Sequence, residues 1–569
     1  MNPKTPTRRT LSLVPPLLVA AAMLPATTLA RPGNPHPPGP DVVISEADCT
    51  AEKLGTDIPT RKIGEPVSAV TLDPPIWFAA SGQNPAYCRV NGRMSPIDPE
   101  SPDINFGVTL PSVWTHRAVQ VGGGGLNGSV PSLTGGGYLG RGWAVSGSDS
   151  GHQGAGAGTW ADKDEPWINL GYAQMKKTHD AAWVLIERMY GSLPVYSYWV
   201  GNSQGGREGL TVAQRYPHDY DGVLISVPVV NFSTLMLSRA LHRIQEIPLE
   251  NWVTPAKRTA ISTYVIQQCD GLDGIMDGII NNYNACRRYF DVTQSPVSDP
   301  WAGKRCPSNV DPNPQDTSAN ACLTDGQIST MEFVHQRYFF ATPLAHKNKS
   351  FGMWVPNTDP GGSGMIVNTR YRGQEGAAEN APIYNWLGGP GVMGALFQDL
   401  SANPLTYVEG GELNDRRRQI SEWLDATDPK LHVFRAFGNK LISFVGTNDT
   451  LASSGSQLDY YQSLIDQMGT RRVSEFARLY VIPSTGHGLT GNNYNVNGNG
   501  DPIPTRAIPS GGIDRLQLLI DWVEKGIAPP NDLVLTGGGR SLPLCEYPTY
   551  PHYLGGDPDS ADSYSCEDW

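Results

Sequence analysis

Val195-Tyr196-Ser197-Tyr198-Trp199-Val200-Gly201-Asn202-Ser203-Gln204-Gly205-Gly206-Arg207-Glu208 is the stretch on which the reading of this chain turns. Its first six residues form an apolar, β-type run, and a helix-like segment follows from Arg207 to Arg215. Between them Ser203 stands in a Gly-x-Ser-x-Gly pattern at a sharp strand-to-helix turn. Glycine permits the tight backbone, and the hydroxyl is left exposed at the end of a sheet. Ser203 is therefore a candidate nucleophile, and an ordinary turn serine is the competing reading.

A serine hydroxyl needs a base to take its proton and a carboxylate to orient that base. On a sheet of this kind the acid and then the histidine follow the serine in the chain. Phe444-Val445-Gly446-Thr447-Asn448-Asp449 places Asp449 just past a strand, and Val481-Ile482-Pro483-Ser484-Thr485-Gly486-His487-Gly488 does the same for His487. Taken singly, Asp449 also reads as a turn cap, Asp459 is a rival acid in an expected helix, and His487 is one of 11 histidines. Chain order and strand-end position favour Asp449 and His487. The tetrahedral intermediate also needs N–H donors. Gln204, directly after the serine, supplies one; the Gly122–Gly125 loop supplies the other through Gly124 or Gly125.

Working outward, Ala118–Val121, Trp143–Ser146 and Gly222–Pro228 read as strands, and Tyr172–Tyr190 has helical spacing. Strand, helix, strand in this order implies a parallel α/β sheet. The pattern breaks from about 229 to 435. It returns with strands at Lys440–Val445 and Ala477–Ile482 and a helix at Asp514–Lys525. The expected organisation is one α/β domain, 31–228 with 436–569, interrupted by an inserted lid at 229–435. Ligands of such sheets bind beyond the carboxyl ends of the strands, where the insertion departs.

The 569 residues carry a formal charge of −12, which argues against a nucleic-acid binder. Arg8-Arg9, an apolar run from Leu11 to about Leu24 and Thr28-Leu29-Ala30 read as a signal peptide, residues 1–30. The run is shorter than the ~20 residues a membrane span needs. A secreted or periplasmic protein, with no membrane attachment after cleavage, is the expectation. Eight cysteines in an oxidising compartment favour disulfides. Roughly a hundred connectivities are possible; the grouping in sequence suggests Cys49–Cys88, Cys269–Cys286, Cys306–Cys322 and Cys545–Cys566.

A second informative run is Cys269-Asp270-Gly271-Leu272-Asp273-Gly274-Ile275-Met276-Asp277-Gly278-Ile279. Hard oxygen ligands at Asp270, Asp273 and Asp277, completed by the carbonyls of Ile275 and Ile279, suit Ca²⁺. The loop is not an EF-hand, since it lacks the bidentate Glu at the expected end; a solvated acidic turn is the alternative. A metal there is structural, because serine chemistry needs none.

Together these residues resemble the tannase and feruloyl esterase family of secreted serine esterases. The resemblance runs from about Cys49 to Cys566. It rests on the Gly122–Gly128 loop, the turn Ser148-Asp149-Ser150-Gly151-His152, the elbow with Ala213-Gln214-Arg215-Tyr216-Pro217, the Asp270–Ile279 loop and Cys322-Leu323-Thr324. It implies an α/β-hydrolase fold with a large inserted lid domain, the triad Ser203, Asp449 and His487, and structural calcium in the lid. It also implies small aromatic ester substrates: gallates, ferulates or a terephthalate half-ester. Many members of the family carry a disulfide between the residue before the serine and the residue after the histidine. Here those positions are Asn202 and Gly488. A non-catalytic, calcium-stabilised binding protein and a peptidase of similar fold are the competing functions.

Overall fold

The elbow serine ends a strand that lies fourth from one edge of a ten-stranded sheet. The computed structural model describes residues 38–154, 156, 158–359, 370–381 and 389–569. The expected signal peptide lies outside them. In chain order the sheet contains β1 (Ala69–Leu72), β2 (Ile76–Phe78), β3 (Tyr87–Ser95), β4 (Ile104–Pro111) and β5 (Arg117–Val121). There follow β6 (Trp143–Ser148), β7 (Tyr196–Asn202), β8 (Gly222–Ser226), β9 (Lys440–Gly446) and β10 (Ala477–Ile482). Their spatial order is β10-β9-β8-β7-β5-β6-β4-β3-β1, with β2 also paired to β3.

From β10 to β6 every pairing is parallel. From β6 to β1 every pairing is antiparallel, as is β2 with β3. The strands read from the sequence, β5 to β10, pair in parallel as expected; the arm β1–β4, which that reading did not name, is antiparallel and makes the whole sheet mixed. The reason is connection length. Only eight residues separate β3 from β4, so the chain turns straight back, whereas a parallel neighbour needs a crossover of a dozen or more.

Eight helices matter below: α1 (Gln174–Tyr190), α2 (Gln204–Arg215), α3 (Phe232–Gln245), α4 (Arg258–Cys269), α5 (Asp325–His335), α6 (Asn414–Leu424), α7 (Ser454–Met468) and α8 (Arg515–Lys525). Period-two alternation divides the strands between the two faces. Tyr198, Ile442, Phe444 and Tyr480 pack with Leu519 and Trp522 of α8. Trp199, Val223, Ile225, Leu441 and Val445 pack with Leu210 of α2 and Leu458 and Leu464 of α7. Both faces of the parallel half are therefore covered, which its continuous apolar strands require. On the antiparallel arm, Ala181, Leu185 and Met189 of α1 pack with Val90, Phe106 and Val108.

Between β8 and β9 the chain contributes no strand to this sheet among the described residues. Helices α3 to α6 lie there and share a core that includes Phe232, Leu241, Val265, Met331, Trp354 and Leu424. Its ends are tied together at the base. Ala426 N–H donates to the Val230 carbonyl at 2.9 Å. The buried Asp425 carboxylate accepts the Ser233 N–H (2.8 Å) and the hydroxyls of Ser233 (2.7 Å) and Ser421 (2.6 Å). All four disulfides form with the pairing suggested by the sequence. No described helix is long and apolar enough to cross a membrane.

Candidate active site

Ser203 occupies φ 60°, ψ −117°, a strained conformation for a residue with a Cβ. Four contacts over-determine it. Its N–H donates to the Ser226 carbonyl at 2.9 Å. Its carbonyl accepts the N–H groups of Arg207 (3.0 Å) and Val229 (3.3 Å). The strand and helix on either side also press together: a Cβ on Gly201 would lie 2.1 Å from the Gly205 carbonyl oxygen. The glycines of the motif are thus required by close packing as well as by the turn. Helix α2 begins at Gln204, three residues earlier than the sequence suggested. Gly205 and Gly206 are poor helix formers, and tertiary packing overrides that preference.

Register places the other two candidates at the same sheet edge. Asn202 pairs with Ser226, Ser226 with Phe444, and Phe444 with Tyr480. Asp449 and His487 follow in the loops just past β9 and β10. The structure brings those two side chains together: His487 Nδ1 faces Asp449 Oδ2 at 2.9 Å and Oδ1 at 3.1 Å. Asp449 is fully buried, while the His487 side chain is 22% exposed. Asp449 Oδ1 also accepts the N–H groups of Leu451 (2.9 Å) and Ala452 (3.0 Å), so the carboxylate is fixed from its own loop. Ser203 Oγ makes no hydrogen bond to His487 here; such contacts often tighten only in the reacting complex. The rival Asp459 is engaged elsewhere, with Arg287 at 2.7 Å and Arg337 at 3.0 Å.

Hydrogen bonds brace the Asp449 and His487 loops against each other. Asn448 N–H donates to the Thr485 carbonyl, and Ser484 N–H to Thr447 Oγ1, each at 2.9 Å. The His487 loop closes on itself through Gly486 N–H to the Thr490 carbonyl (3.0 Å) and Leu489 N–H to the Gly486 carbonyl (2.9 Å). Asn448 Nδ2 reaches Thr358 Oγ1 of the inserted segment at 2.9 Å.

The glycine loop lies directly against the elbow. Gly123 accepts the Gly205 N–H at 2.8 Å and donates its own N–H to Glu208 Oε2 at 2.9 Å. A Cβ on Gly123 would fall 2.3 Å from Asn127 Cγ. Open space adjoins Gly124, and Gly125 takes φ 61° as the chain turns. The turn closes on Asn127, whose N–H donates to the Gly124 carbonyl at 2.8 Å. Asn127 Nδ2 then donates to the Ser148 carbonyl (3.0 Å) and Ser150 Oγ (2.5 Å). The Ser148–His152 turn is accordingly the second half of the frame that holds the glycine loop. Sequence reasoning assigned no role to Glu208, to Gln174 or to the fully buried Arg207. Arg207 donates to the carbonyls of Leu170 (2.6 Å), Gly171 (2.7 Å) and Leu424 (3.3 Å), and to Gln204 Oε1 (2.8 Å).

In the acidic loop, Asp270 and Asp273 are fully buried. Asp270 accepts the N–H groups of Gly278 (2.9 Å) and Gly498 (2.7 Å), and Asp273 those of Ile275 (3.2 Å) and Asn281 (3.0 Å). Asp277 Oδ1 accepts the Ile279 N–H at 3.1 Å, and its buried Oδ2 has no hydrogen-bond partner. Burial, with repulsion from Asp277 second, pushes Asp270 up to about 7. Burial is also the main reason that Asp273 rises to about 8 and Asp277 to about 6. Three buried carboxylates held by N–H donors suit a hard cation chemically. The three aspartates are not drawn within 4.8 Å of one another. The one such set among the described residues is Cys306, Asp311 and Cys322, whose sulfurs form a disulfide. Cys322-Leu323-Thr324 has its own account: Thr324 caps α5 in a capping box with Gln327.

The family model described as tannase and feruloyl esterase matches residues 88–567 of this chain. An uncharacterized esterase of Agrobacterium fabrum is 33% identical over 548 residues, covering 90% of this chain and 92% of that protein. A mono(2-hydroxyethyl) terephthalate hydrolase of Piscinibacter sakaiensis is 27% identical, covering 92% of each. Feruloyl esterase B from Aspergillus oryzae superposes with a TM-score of 0.68 at 23% identity, over 92% of this chain and 100% of that one.

Proposed function

The chain belongs to the tannase and feruloyl esterase family and is a carboxylic ester hydrolase of α/β-hydrolase fold, and from that premise we propose that it cleaves esters of aromatic carboxylic acids through Ser203, His487 and Asp449. The observation that carries the proposal is the pairing of His487 with the buried Asp449 carboxylate, set at the same sheet edge as the strained Ser203. Relatives named for feruloyl and terephthalate esters support the aromatic acyl group.

With Nδ1 on Asp449, His487 keeps Nε2 for the serine proton. Ser203 Oγ attacks the acyl carbon as its proton passes to His487. The carbonyl oxygen becomes an oxyanion, held by the N–H groups of Gln204 and Gly124, with Gly125 forming the turn behind them. Collapse expels the alcohol, which takes the proton from His487 and leaves an acyl-enzyme. Water, deprotonated by His487, then attacks the acyl carbon; the bond to Ser203 Oγ breaks, the serine takes the proton back from His487, and the acid is released.

Residues 229–435 act as a lid over this edge; the Asn448–Thr358 contact supports that role. Asp270, Asp273, Asp277 and the carbonyls of Ile275 and Ile279 would hold a structural calcium, which would supply charge neutralisation to the loop closed by Cys269–Cys286. Export to an oxidising compartment is consistent with four disulfides and no free cysteine. The test is turnover of a gallate, a ferulate and a terephthalate half-ester beside a matched amide. At least one ester is expected to be cleaved, and Ser203→Ala is expected to lower that rate by about 10³-fold or more with the melting temperature kept. Full activity in the purified variant would remove Ser203 as nucleophile.

A further inference from the structure

One turn beyond the serine, Glu208 is fully buried on α2. Its two oxygens have separate partners. Oε2 accepts the Gly123 N–H at 2.9 Å, and Oε1 accepts Gln174 Nε2 at 3.0 Å. The Ser150 hydroxyl also donates to it. Gln174 in turn accepts the Ser148 hydroxyl at 2.6 Å. The adjacent Arg207 donates to backbone carbonyls and Gln204, so the carboxylate is not spent in an ion pair with it.

The consequence falls on Gly123. A glycine swings more freely about φ and ψ than any other residue. Here both peptide planes that flank it are fixed. Glu208 holds the plane carrying its N–H, and the Gly205 N–H holds the plane carrying its carbonyl. The second plane also carries the Gly124 N–H, because a trans peptide is rigid and planar. We propose that Glu208 is a positioning residue of the esterase: its carboxylate anchors Gly123, and so keeps the Gly124 N–H aimed at the developing oxyanion. This rests on the Ser203 reading above. What the role requires is a hydrogen-bond acceptor at this reach, with neither a negative charge nor a transferable proton.

That requirement separates three variants. In Glu208→Gln, the side-chain carbonyl still accepts the Gly123 N–H. Its NH₂ donates to Gln174, whose amide flips and is then satisfied by the Ser148 hydroxyl. Glu208→Ala removes the acceptor, and Glu208→Asp keeps the charge while shortening the reach. Turnover of 4-nitrophenyl acetate, labelling by a fluorophosphonate and inhibition by a phenylboronic acid are measured, each referred to folded protein by thermal melting. The boronate places an oxygen at the oxyanion position, which a merely structural residue would not sense. Glu208→Gln is expected to keep kcat within about 3-fold. Glu208→Ala is expected to lose about 100-fold in kcat with little change in KM, and to weaken the boronate by a similar factor. Glu208→Asp, the variant most certain to fold, is expected to lose about 10-fold or more. Wild-type kcat in Glu208→Asp or in folded Glu208→Ala overturns the proposal. So does an equal loss in Glu208→Gln and Glu208→Ala, which would show that the ionisable group itself is used. If the wild type is active but Ser203 is neither labelled nor needed, the failure belongs to the Ser203 reading instead.

Discussion

Asp449 carries two duties that one substitution can separate. Its carboxylate orients His487, and Oδ1 also ties down the N–H groups of Leu451 and Ala452. Asparagine keeps one oxygen, so the loop bonds survive, but its NH₂ facing His487 imposes the wrong tautomer. Asp449→Asn is therefore expected to lower kcat by about 10³–10⁴-fold while the melting temperature shifts little. Steady-state kinetics and calorimetry on the same sample check it; a small loss of kcat would move the acid role to another residue. Glu208 supplies a pH prediction. Burial raises its carboxyl to about 7, against the opposing pull of Arg207 and its three hydrogen-bond donors. A folded value above the ordinary 4.5 means that the fold favours the protonated form. Its contribution is complete below about pH 4.5 and is lost as pH rises through 7. Glu208→Gln removes that loss, which amounts to roughly 3 kcal/mol at most. Between pH 5 and pH 8 the variant's melting temperature should fall less than that of the wild type. Parallel curves would show that Glu208 is already ionised without cost.

Among the elements, the parallel half of the sheet was legible and the antiparallel arm was not. β8, β9 and β10 are buried on both faces and read as largely apolar runs, interrupted by Ser443 in β9 and Arg478 in β10. β3 carries Arg89, Asn91 and Arg93 between its buried residues, so its direction and partners depend on turns that composition does not announce. Ser203, Asp449 and His487 were visible as candidates because each lies within five residues of a strand's end. Glu208 was not, because its meaning comes from a glycine 85 residues away. The acidic loop was legible as a run of closely spaced aspartates, while the N–H that Asp270 accepts from Gly498 comes from 228 residues away. The loop supports its own prediction. Asp277 repels both buried carboxylates, Asp270 and Asp273, and a bound cation would remove that cost. A strong chelator is expected to lower the melting temperature by a few degrees, and added Ca²⁺ to restore it. Asp273→Asn should already melt low and respond weakly to chelator. Elemental analysis should find about one calcium per chain; an identical melt with and without chelator would rule the ion out.

For the molecule as a whole, the exposed edge of the sheet decides what the C-terminal residues are for. β10 ends the parallel half, and an open edge strand invites pairing with other chains. Two hairpins cover it: Asp532–Gly537 with Arg540–Cys545, and Tyr550–Tyr553 with Tyr564–Glu567. Tyr547 N–H donates to the Leu479 carbonyl at 2.8 Å, and Tyr480 bridges to Glu546. Leu533, Leu535 and Leu544 join the core that contains Ile482 and Leu489, the residues on either side of the His487 loop. Cys545–Cys566 closes the 21-residue segment and holds the second hairpin to the first. Replacing both cysteines by serine removes the cross-link without leaving a free thiol. In the chain-entropy model a loop of this length contributes about 3 kcal/mol. The double variant should therefore unfold at a lower urea concentration in non-reducing buffer, with its activity in buffer near that of the wild type. In strong reductant both proteins lack the link, and the gap between their midpoints should close. A gap that persists would place the loss in the packing of the serines; no gap in either buffer would mean that the hairpins hold β10 without the bond.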